Sequence, residues 1–385
     1  MATPAAPGLA GLPDLLLRQR AAGWHEGAQL YVSLRGEALL DTAVGESFPG
    51  RPLQPDDLML LYSAGKPATT VAVLQLWEQG RLGLDDPVAR YVDGWGHGKE
   101  RCTLRHLLVH TGGFPNAGTK FFDRDLTYAE EVAYIAAWRA EWEPGTAAAY
   151  HPSSSWKVLG AIVEAVDGRP IDRYLREQVF DRVGMVDAHL GIPLAEQPRY
   201  AARISPVHWR GHAVPGRNDD GSFAMVPYRI DEIHNLPWHI AKVAPGGGMR
   251  APARELGWFY ESLLGFRPPV LEPRTVELMG AVHRHNIEDR LFRRNLPWGL
   301  GVQVSFTGGT GRRAFGHGGM ASSRGLCDPE HGLVMVVVTN GLADFLSAEQ
   351  RLFEVTDAVY SGLGDDVART RQLAVPIAEV FGFST

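Results

Sequence analysis

Hydrophobic residues change their spacing along the chain, and each change predicts a different kind of element. Two runs of strand-forming residues flank Arg35-Gly36 within residues 28–45, which is typical of a β-hairpin. The apolar run DLMLLY (57–62) predicts a short strand, and the helical spacing that follows it ends at Gly80. Further helices are predicted at residues 103–113, 128–142, 153–168, 171–180, 251–265 and 348–363, and further antiparallel strands at 299–306, 312–319 and 322–340.

The order of these elements predicts an α+β fold. We expect an antiparallel sheet formed from the N- and C-terminal segments and flanked by helices, with an inserted, mostly helical domain. Residues 1–24 would be a disordered lead and a helix, residues 25–90 and 240–385 the sheet domain, and residues 91–239 the helical domain. Residues 203–239 are rich in Gly, Pro, His and Trp without a clear period, which predicts a long irregular insertion of the kind that often borders a substrate site.

Composition and charge argue against several classes of protein. Of the 385 residues, 45% are hydrophobic and 21% charged, the net charge is −6, and there is no dense run of Lys or Arg, so no nucleic-acid partner is expected. No apolar run approaches the ~20 residues that span a bilayer. The N-terminal segment also lacks a basic stretch ahead of its leucines, so we expect no membrane partner and a cytoplasmic location. The two cysteines, Cys102 and Cys327, are expected to be buried free thiols.

One short segment, LYSAGKPATT (61–70), carries candidate chemistry. Ser63 and Lys66 lie three positions apart at a strand-to-helix junction, so their side chains would share one helix face. Burial and the positive helix N-terminus would both lower the pKa of Lys66, which would let its amine accept the serine proton. Alone, the S-x-x-K spacing is a weak signal, because an N-cap serine beside a solvated lysine gives the same pattern.

Other segments accompany this motif in a fixed order along nearly the whole chain. They are LMLLYSAGKPATTVAVLQLWEQGRLGLDDPVARYVDGW, CTLRHLLVHTGGFP, EPGTAAAYHPSSSWKVLGAIVEAVDGRPIDRYL, PGGGMRAPARELGWFYESLL, PWGLGVQV and FGHGGMASSRGLCDPEHGLVMVVVTN. Together they resemble the serine β-lactamase and penicillin-binding-protein superfamily, in particular its class C-like, β-lactamase-related esterase branch. The resemblance extends from about residue 25 to about residue 362 and is strong because the segments occur in order.

The resemblance implies roles for three side chains. Ser63 would be the nucleophile and Lys66 its activator. Tyr150, in the segment AAAYHP, takes the place of the family's catalytic tyrosine. Its phenol would carry the proton to the leaving group, with a pKa lowered by the neighbouring Lys66.

The resemblance also implies a strand that closes the substrate site. His317-Gly318-Gly319 matches the family's closing triplet, often Lys-Thr-Gly, and its glycines would let this edge strand approach the substrate. The backbone N–H groups of Ser63 and Met320 would form the oxyanion hole.

The chain departs from the family pattern at two positions. Tyr150-His151-Pro152 replaces the usual Tyr-x-Asn, so the amide that normally binds a β-lactam or peptide is missing. His317 replaces a lysine, so a fixed cation for an anionic substrate is missing at neutral pH. Both changes remove recognition of an anionic amide and leave the machinery for acyl transfer. We therefore predict a serine carboxylesterase that forms a covalent acyl-enzyme and takes small or short-acyl esters as its small-molecule partner.

Other functions remain open at this point. The alternatives are a β-lactamase, a D-amino-acid peptidase or amidase, an acyltransferase that hands the acyl group to an alcohol, and a relative that only binds a ligand. The sequence leaves the oligomeric state unknown.

The histidines and tryptophans are the remaining candidates for a binding role. The fourteen histidines show no H-E-x-x-H spacing, and no C-x-x-C exists, so neither a metal nor another cofactor is expected. His110, in VHTGG, is expected to anchor a helix end, and His283 and His285 are expected to be a solvated or loop pair. Core packing is the default for four tryptophans that would otherwise line an apolar acyl pocket: Trp156, Trp238, Trp258 and Trp298.

Overall fold

A seven-stranded antiparallel sheet forms the centre of the protein, described here from a computed structural model. The strands of the chain are β1 (Gly27–Leu34), β2 (Glu37–Phe48), β3 (Arg51–Pro52), β4 (Met59–Leu60), β5 (His189–Leu190), β6 (His208–Arg210), β7 (Ala213–Arg217), β8 (Phe223–Pro227), β9 (Met249–Ala251), β10 (Glu288–Asp289), β11 (Arg294–Asn295), β12 (Gln303–Val304), β13 (Phe315–Gly319), β14 (Ser323–Asp328), β15 (Leu333–Thr339) and β16 (Gly341–Ala343).

The central sheet joins the two ends of the chain. Its strand order is β12-β13-β14-β15-β1-β2-β3. The N-terminal and C-terminal segments meet where β1 pairs with β15, from Ala28 opposite Thr339 to Leu34 opposite Leu333. The α+β fold with a sheet built from both ends of the chain is thereby confirmed.

The structure describes residues 7–118, 126–217, 223–306, 310–364 and 367. The start of the disordered lead predicted for residues 1–24 therefore lies outside the described residues, as does the chain beyond residue 367. The boundaries of the predicted domains stay a prediction.

Helices flank the sheet and fill the middle of the chain. They are α1 (Leu12–Ala21), α2 (Lys66–Glu78), α3 (Leu104–Leu108), α4 (Tyr128–Ala137), α5 (Ser154–Asp167), α6 (Ile171–Leu175), α7 (Asp181–Val183), α8 (Gln197–Tyr200), α9 (Asp231–His234), α10 (Pro237–Ile240), α11 (Ala253–Leu263), α12 (Pro273–Gly280) and α13 (Phe345–Gly362). A π-helical turn, Arg176–Phe180, joins α6 to α7.

Several elements are shorter than the sequence predicts. The helix predicted to reach residue 113 ends at Leu108, because His110 has a left-handed backbone with φ 61°. The helix predicted to reach residue 142 ends at Ala137, since the backbone of Trp138 is extended. The strand predicted over residues 299–306 is only the two-residue β12. The insertion at 203–239 is less irregular than expected, because it contains β6, β7, β8, α9 and most of α10.

Strand β15 separates two hydrophobic cores. All of its residues are buried, and alternate side chains point to opposite faces of the sheet. The core shared with α1 and α13 receives Leu333, Met335 and Val337. The larger core, shared with α2, α5 and α11, receives Val334, Val336 and Val338. Burial on both faces explains why this strand reads as an unbroken apolar run.

Helix α2 lies inside the larger core. It is buried on nearly every side, as expected for a helix that is apolar all round.

Cys102 and Cys327 are buried and unpaired, which confirms the prediction of free thiols. Within the described part of the chain, no helix has the length and apolar character needed to cross a membrane.

Candidate active site

Ser63 lies in a tight turn between a strand and a helix. Strand β4 leads into a 3₁₀ turn, Tyr62–Gly65, and α2 begins directly after it at Lys66. Side chains three positions apart eclipse one another in such a turn, and the Ser63 Oγ and Lys66 Nζ atoms are 3.0 Å apart. The strand-to-helix junction expected for Ser63 is confirmed.

Two backbone carbonyls fix the orientation of the Lys66 amine. Its Nζ atom donates to the carbonyl oxygen of Pro152 at 2.7 Å and to that of Gly246. Carbonyl oxygens only accept hydrogen bonds, so they take both N–H bonds of a neutral amine. The remaining lone pair is then left for the hydroxyl of Ser63.

Burial favours the neutral form of Lys66. Its side chain is completely enclosed, and this burial lowers the pKa of Lys66 well below the ordinary lysine value. Aromatic rings enclose the amine on two sides, with the centroids of Tyr150 and Trp156 at 5.4 Å and 5.0 Å from Nζ. The sequence predicted this direction from burial and the helix N-terminus, and burial is the cause found.

Tyr150 completes a hydrogen-bonded line through the serine. Its hydroxyl donates to Ser63 Oγ at 2.7 Å. Burial raises the pKa of Tyr150 and the charge of Asp289 adds to the rise, although the hydrogen bond with Ser63 opposes it. The expectation that Lys66 lowers this pKa is therefore wrong, because a buried neutral amine offers no charge to stabilise a phenolate. The phenol keeps its proton.

A buried ion pair and a histidine hold the backbone around Tyr150. The Tyr150 N–H donates to Asp289 Oδ1 at 3.1 Å, and Arg284 pairs with Asp289 at 3.1 Å, with both charged side chains at most 1% exposed. One residue further on, the His151 N–H donates to His110 Nδ1 at 3.0 Å. These contacts set the position of the phenol above the serine.

Most of these supporting residues are not predicted by the sequence. As expected, His110 anchors a helix end, since its N–H donates to the Leu107 carbonyl in the last turn of α3, and its Nδ1 atom additionally accepts from the backbone beside the tyrosine. His283 and His285 were noted in VHRHN, whereas the residue between them, Arg284, supports the site. An arginine inside an otherwise loop-like segment was the available signal, and nothing in the sequence pairs it with Tyr150.

Strand β13 passes close to the nucleophile turn and carries the predicted triplet. A side chain on Gly319 would overlap the Leu61 carbonyl oxygen and the Ser323 Oγ atom, so glycine is needed for this approach. Ser323 Oγ also donates to the Leu61 carbonyl at 2.6 Å. Strand and turn are therefore held in direct contact.

His317 of this triplet is a neutral side chain. It is 3% exposed, and burial lowers its pKa to about 3. The Nδ1 atom lies 2.6 Å from the Gly318 carbonyl, so it carries the proton of the neutral ring. This confirms the expectation that the position has no fixed cation at neutral pH.

A family model described as Beta-lactamase matches residues 14–359. The chain belongs to the Beta-lactamase family. This confirms the family predicted from the ordered motifs.

Relatives within this family include named esterases. The chain is 29% identical over 383 residues to Esterase EstB of Burkholderia gladioli, covering 90% of this chain and 93% of that protein. It is 26% identical over 339 residues to Esterase/beta-lactamase LipL of Mycobacterium tuberculosis, covering 82% of this chain and 77% of that protein.

Solved structures share the fold over nearly the whole chain. A family VIII carboxylesterase superposes with a TM-score of 0.77 at 22% identity, covering 92% of this chain and 98% of that one. A penicillin-binding protein homologue from Caulobacter crescentus also gives 0.77, at 23% identity, covering 94% and 99%. At these identities the likeness establishes the fold of the family.

Two of the four candidate tryptophans belong to the site. Trp156 donates its Nε1–H to the Lys66 carbonyl at 3.1 Å, and Trp298 stacks on Tyr150 with ring centroids 6.0 Å apart. Trp258 packs against the larger core beneath Arg267, as the expectation of core packing predicts. Trp238 instead packs against His239 and lies beneath the Lys242 amine.

No metal site accompanies these residues in the ranges that the structure describes. There, no group of three His, Cys, Asp or Glu side chains is placed to hold an ion. The absence of a cofactor stays a prediction.

Proposed function

We propose that the chain is a serine carboxylesterase that works through a covalent acyl-enzyme, with Ser63, Lys66 and Tyr150 as its catalytic residues. One observation carries the proposal: Ser63 Oγ lies between a buried amine at 3.0 Å and a phenol at 2.7 Å. The esterase names of EstB and of the family VIII carboxylesterase support an ester as the substrate.

The hydrogen bonds at Ser63 determine where the serine and tyrosine protons move during the reaction. The Tyr150 O–H donates to Ser63 Oγ, so the serine proton is free to point at the Lys66 lone pair. As Ser63 Oγ bonds to the ester carbonyl carbon, its proton moves to Lys66. The tetrahedral intermediate collapses when the bond to the alcohol oxygen breaks and Tyr150 gives its proton to that oxygen. The proton on Lys66 then restores the phenol.

The second half of the reaction uses the same groups in reverse order. Water takes the place of the alcohol and attacks the acyl carbon, while its proton passes to the Tyr150–Lys66 pair. The bond from Ser63 Oγ then breaks, the serine recovers its proton, and the acid leaves. Atoms and charge balance over the two steps without a further reactant.

The oxyanion is assigned to two backbone amides. The Ser63 and Met320 N–H groups flank the point where β13 approaches the nucleophile turn, and the family resemblance, which implies an oxyanion hole at these positions, supports the assignment. Backbone N–H donors that are fixed before the substrate arrives stabilise the developing negative charge.

The surroundings of the serine favour a neutral ester over an anionic amide. Pro152 provides no side-chain amide, and His317 is neutral, so neither residue recognises the acylamide or the carboxylate of a β-lactam. The rings of Trp298 and Phe292 pack against Tyr150 and add apolar surface. β-Lactamase, peptidase or amidase and acyltransferase activities remain secondary hypotheses, and the intact catalytic geometry argues against a relative that only binds.

Intact-mass detection of acyl adducts tests this function. Purified protein is mixed with a panel of p-nitrophenyl esters and β-lactams, with Ser63→Ala as the control. We expect adducts with short-chain esters, little or none with lactams, and none in the variant. Stronger labelling by lactams would overturn the substrate class, and ester turnover by Ser63→Ala would overturn the nucleophile.

The cytoplasmic location and the oligomeric state are separate questions. The former stays a prediction that cell fractionation tests, and light scattering of the purified protein answers the latter.

A further inference from the structure

The residue before the nucleophile has an unusual backbone. Tyr62 has φ 51°, in the left-handed region that side chains larger than glycine rarely adopt. This conformation sets the direction of the next peptide unit, whose N–H belongs to Ser63. An outlier at such a position persists only where surrounding contacts hold it.

A side chain from the insertion holds Tyr62. The Tyr62 hydroxyl and His234 Nδ1 are 2.9 Å apart, and the two side chains are 4% and 5% exposed. Burial lowers the pKa of His234 well below its ordinary value, so the ring is neutral, and in the tautomer protonated at Nε2 its Nδ1 atom accepts a hydrogen bond from the Tyr62 hydroxyl. His234 ends helix α9, within the segment that the sequence predicted to be irregular.

His234 is itself fixed to the strand beside the nucleophile. Arg250 donates to the His234 carbonyl at 3.0 Å and to the Ser205 carbonyl at 3.3 Å. Arg250 lies on β9, which pairs with β4 directly before the nucleophile turn. The contacts therefore close a ring from the turn through Tyr62, His234 and Arg250 back to the strand that leads into the turn.

The same tyrosine lies beside the second amide of the oxyanion hole. Met320 and Ala321 pack against the hydrophobic cluster that contains Tyr62, and Ala321 also has a left-handed backbone, with φ 46°. A Cβ atom on Gly319 would lie 3.1 Å from the Tyr62 Cβ atom. Tyr62 is thus in contact with the segments that supply both amides.

We propose that Tyr62 and His234 are positioning residues, whose hydrogen bond sets the spacing of the Ser63 and Met320 amides for the oxyanion. The inference rests on the proposed function and deepens it, because it assigns the insertion a part in catalysis. Neither side chain needs to touch the substrate.

Single substitutions and a double-mutant cycle test the proposal. Tyr62→Phe removes only the hydroxyl, His234→Ala removes the acceptor, and His234→Asn keeps an acceptor near the position of Nδ1. Tyr360→Phe is the matched control, since it removes another buried tyrosine hydroxyl, hydrogen-bonded to Asp328 at 2.8 Å in the core beside α13. Turnover of p-nitrophenyl acetate is measured per active site, titrated by the burst of p-nitrophenol, together with Tm.

A loss of oxyanion stabilisation lowers kcat and leaves KM nearly unchanged. For a displaced amide we expect a loss of roughly tenfold in kcat, less than the 10²–10³-fold of a deleted donor. Tyr62→Phe and His234→Ala should show this loss, the double variant should lose no more than either single one, and His234→Asn should recover part of it. Tyr360→Phe should lower Tm and leave kcat unchanged.

Two outcomes would overturn the proposal. One is an unchanged kcat in Tyr62→Phe, and the other is strictly additive losses in the double variant. The proposed function fails differently, since wild-type protein would then give no Ser63-dependent burst at all.

Discussion

The Nζ atom of Lys66 donates a hydrogen bond to the backbone carbonyl of Pro152, 2.7 Å away. The residue that breaks the family's Tyr-x-Asn pattern thus still contributes to the site, through its backbone. The loss of asparagine removes a side-chain amide for the substrate but keeps the carbonyl that binds the Lys66 amine.

Introducing the family's asparagine should therefore let the protein react with a β-lactam while it still hydrolyses esters. Pro152→Asn keeps the carbonyl that binds Lys66 and supplies an amide, so we expect retained esterase turnover and a new acyl adduct with benzylpenicillin. Loss of the proline should lower the free energy of unfolding by about 0.4–1 kcal/mol. Intact mass and ester assays measure the two activities.

Pro152→Ala is the control for this substitution, because it changes the same backbone without adding an amide. Equal penicillin labelling of the two variants would show that the amide is not what the site lacks.

The contact between Ser63 and Lys66 was predictable because it is local. Ser63 and Lys66 are three residues apart, so their contact depends only on the turn between them. Strand β15 was equally clear, since burial on both faces requires an unbroken apolar run. Both features depend only on residues that are close together in the sequence.

The supporting residues were not predictable because they act across long separations. Asp289 binds the Tyr150 backbone from 139 residues away, and His234 reaches Tyr62 from 172 residues away. The predicted direction of the Tyr150 pKa shift was wrong for a related reason. It depends on whether Lys66 is charged, which is decided by tertiary burial.

The burial of Lys66 and Tyr150 predicts a broad pH plateau for kcat/KM. Lys66 must be neutral to act, and burial lowers its pKa from 10.5, so activity should already be present at neutral pH and fall as acid protonates the amine. Tyr150 must be protonated, and burial raises its pKa above 10.0, so activity should persist into alkaline solution. A pH profile with a stable alkyl ester measures both limbs. An activity that climbs steadily up to pH 10.5 would contradict the lowered lysine pKa.

The Asp289–Arg284 pair should affect both stability and turnover. Asp289→Ala leaves Arg284 buried without its partner, which should cost about 3–5 kcal/mol of the free energy of unfolding. It also frees the Tyr150 backbone, so kcat should fall. Urea denaturation and ester turnover measure the two effects.

Two controls separate these effects. Glu288→Ala removes the neighbouring carboxylate, which is exposed and pairs with Arg293 at 3.4 Å, and should change stability by about 0–1 kcal/mol. The double variant Arg284→Met/Asp289→Leu should regain stability but not kcat. Full recovery of kcat in the double variant would show that Asp289 does not position the tyrosine.

Adjacent glycines in β13 provide a matched test of the approach between strand and nucleophile. A methyl group on Gly319 would overlap the Leu61 carbonyl, whereas one on Gly318 would come no closer than 3.8 Å to the Ser323 carbonyl. Gly319→Ala must push the strand away from the turn, so we expect a cost of about 1–3 kcal/mol. The Ser63-dependent burst of p-nitrophenol should fall as well, because the Met320 amide moves with the strand. Gly318→Ala should keep the wild-type Tm. Similar Tm losses in the two variants would mean that strand and turn are not in the close contact described here.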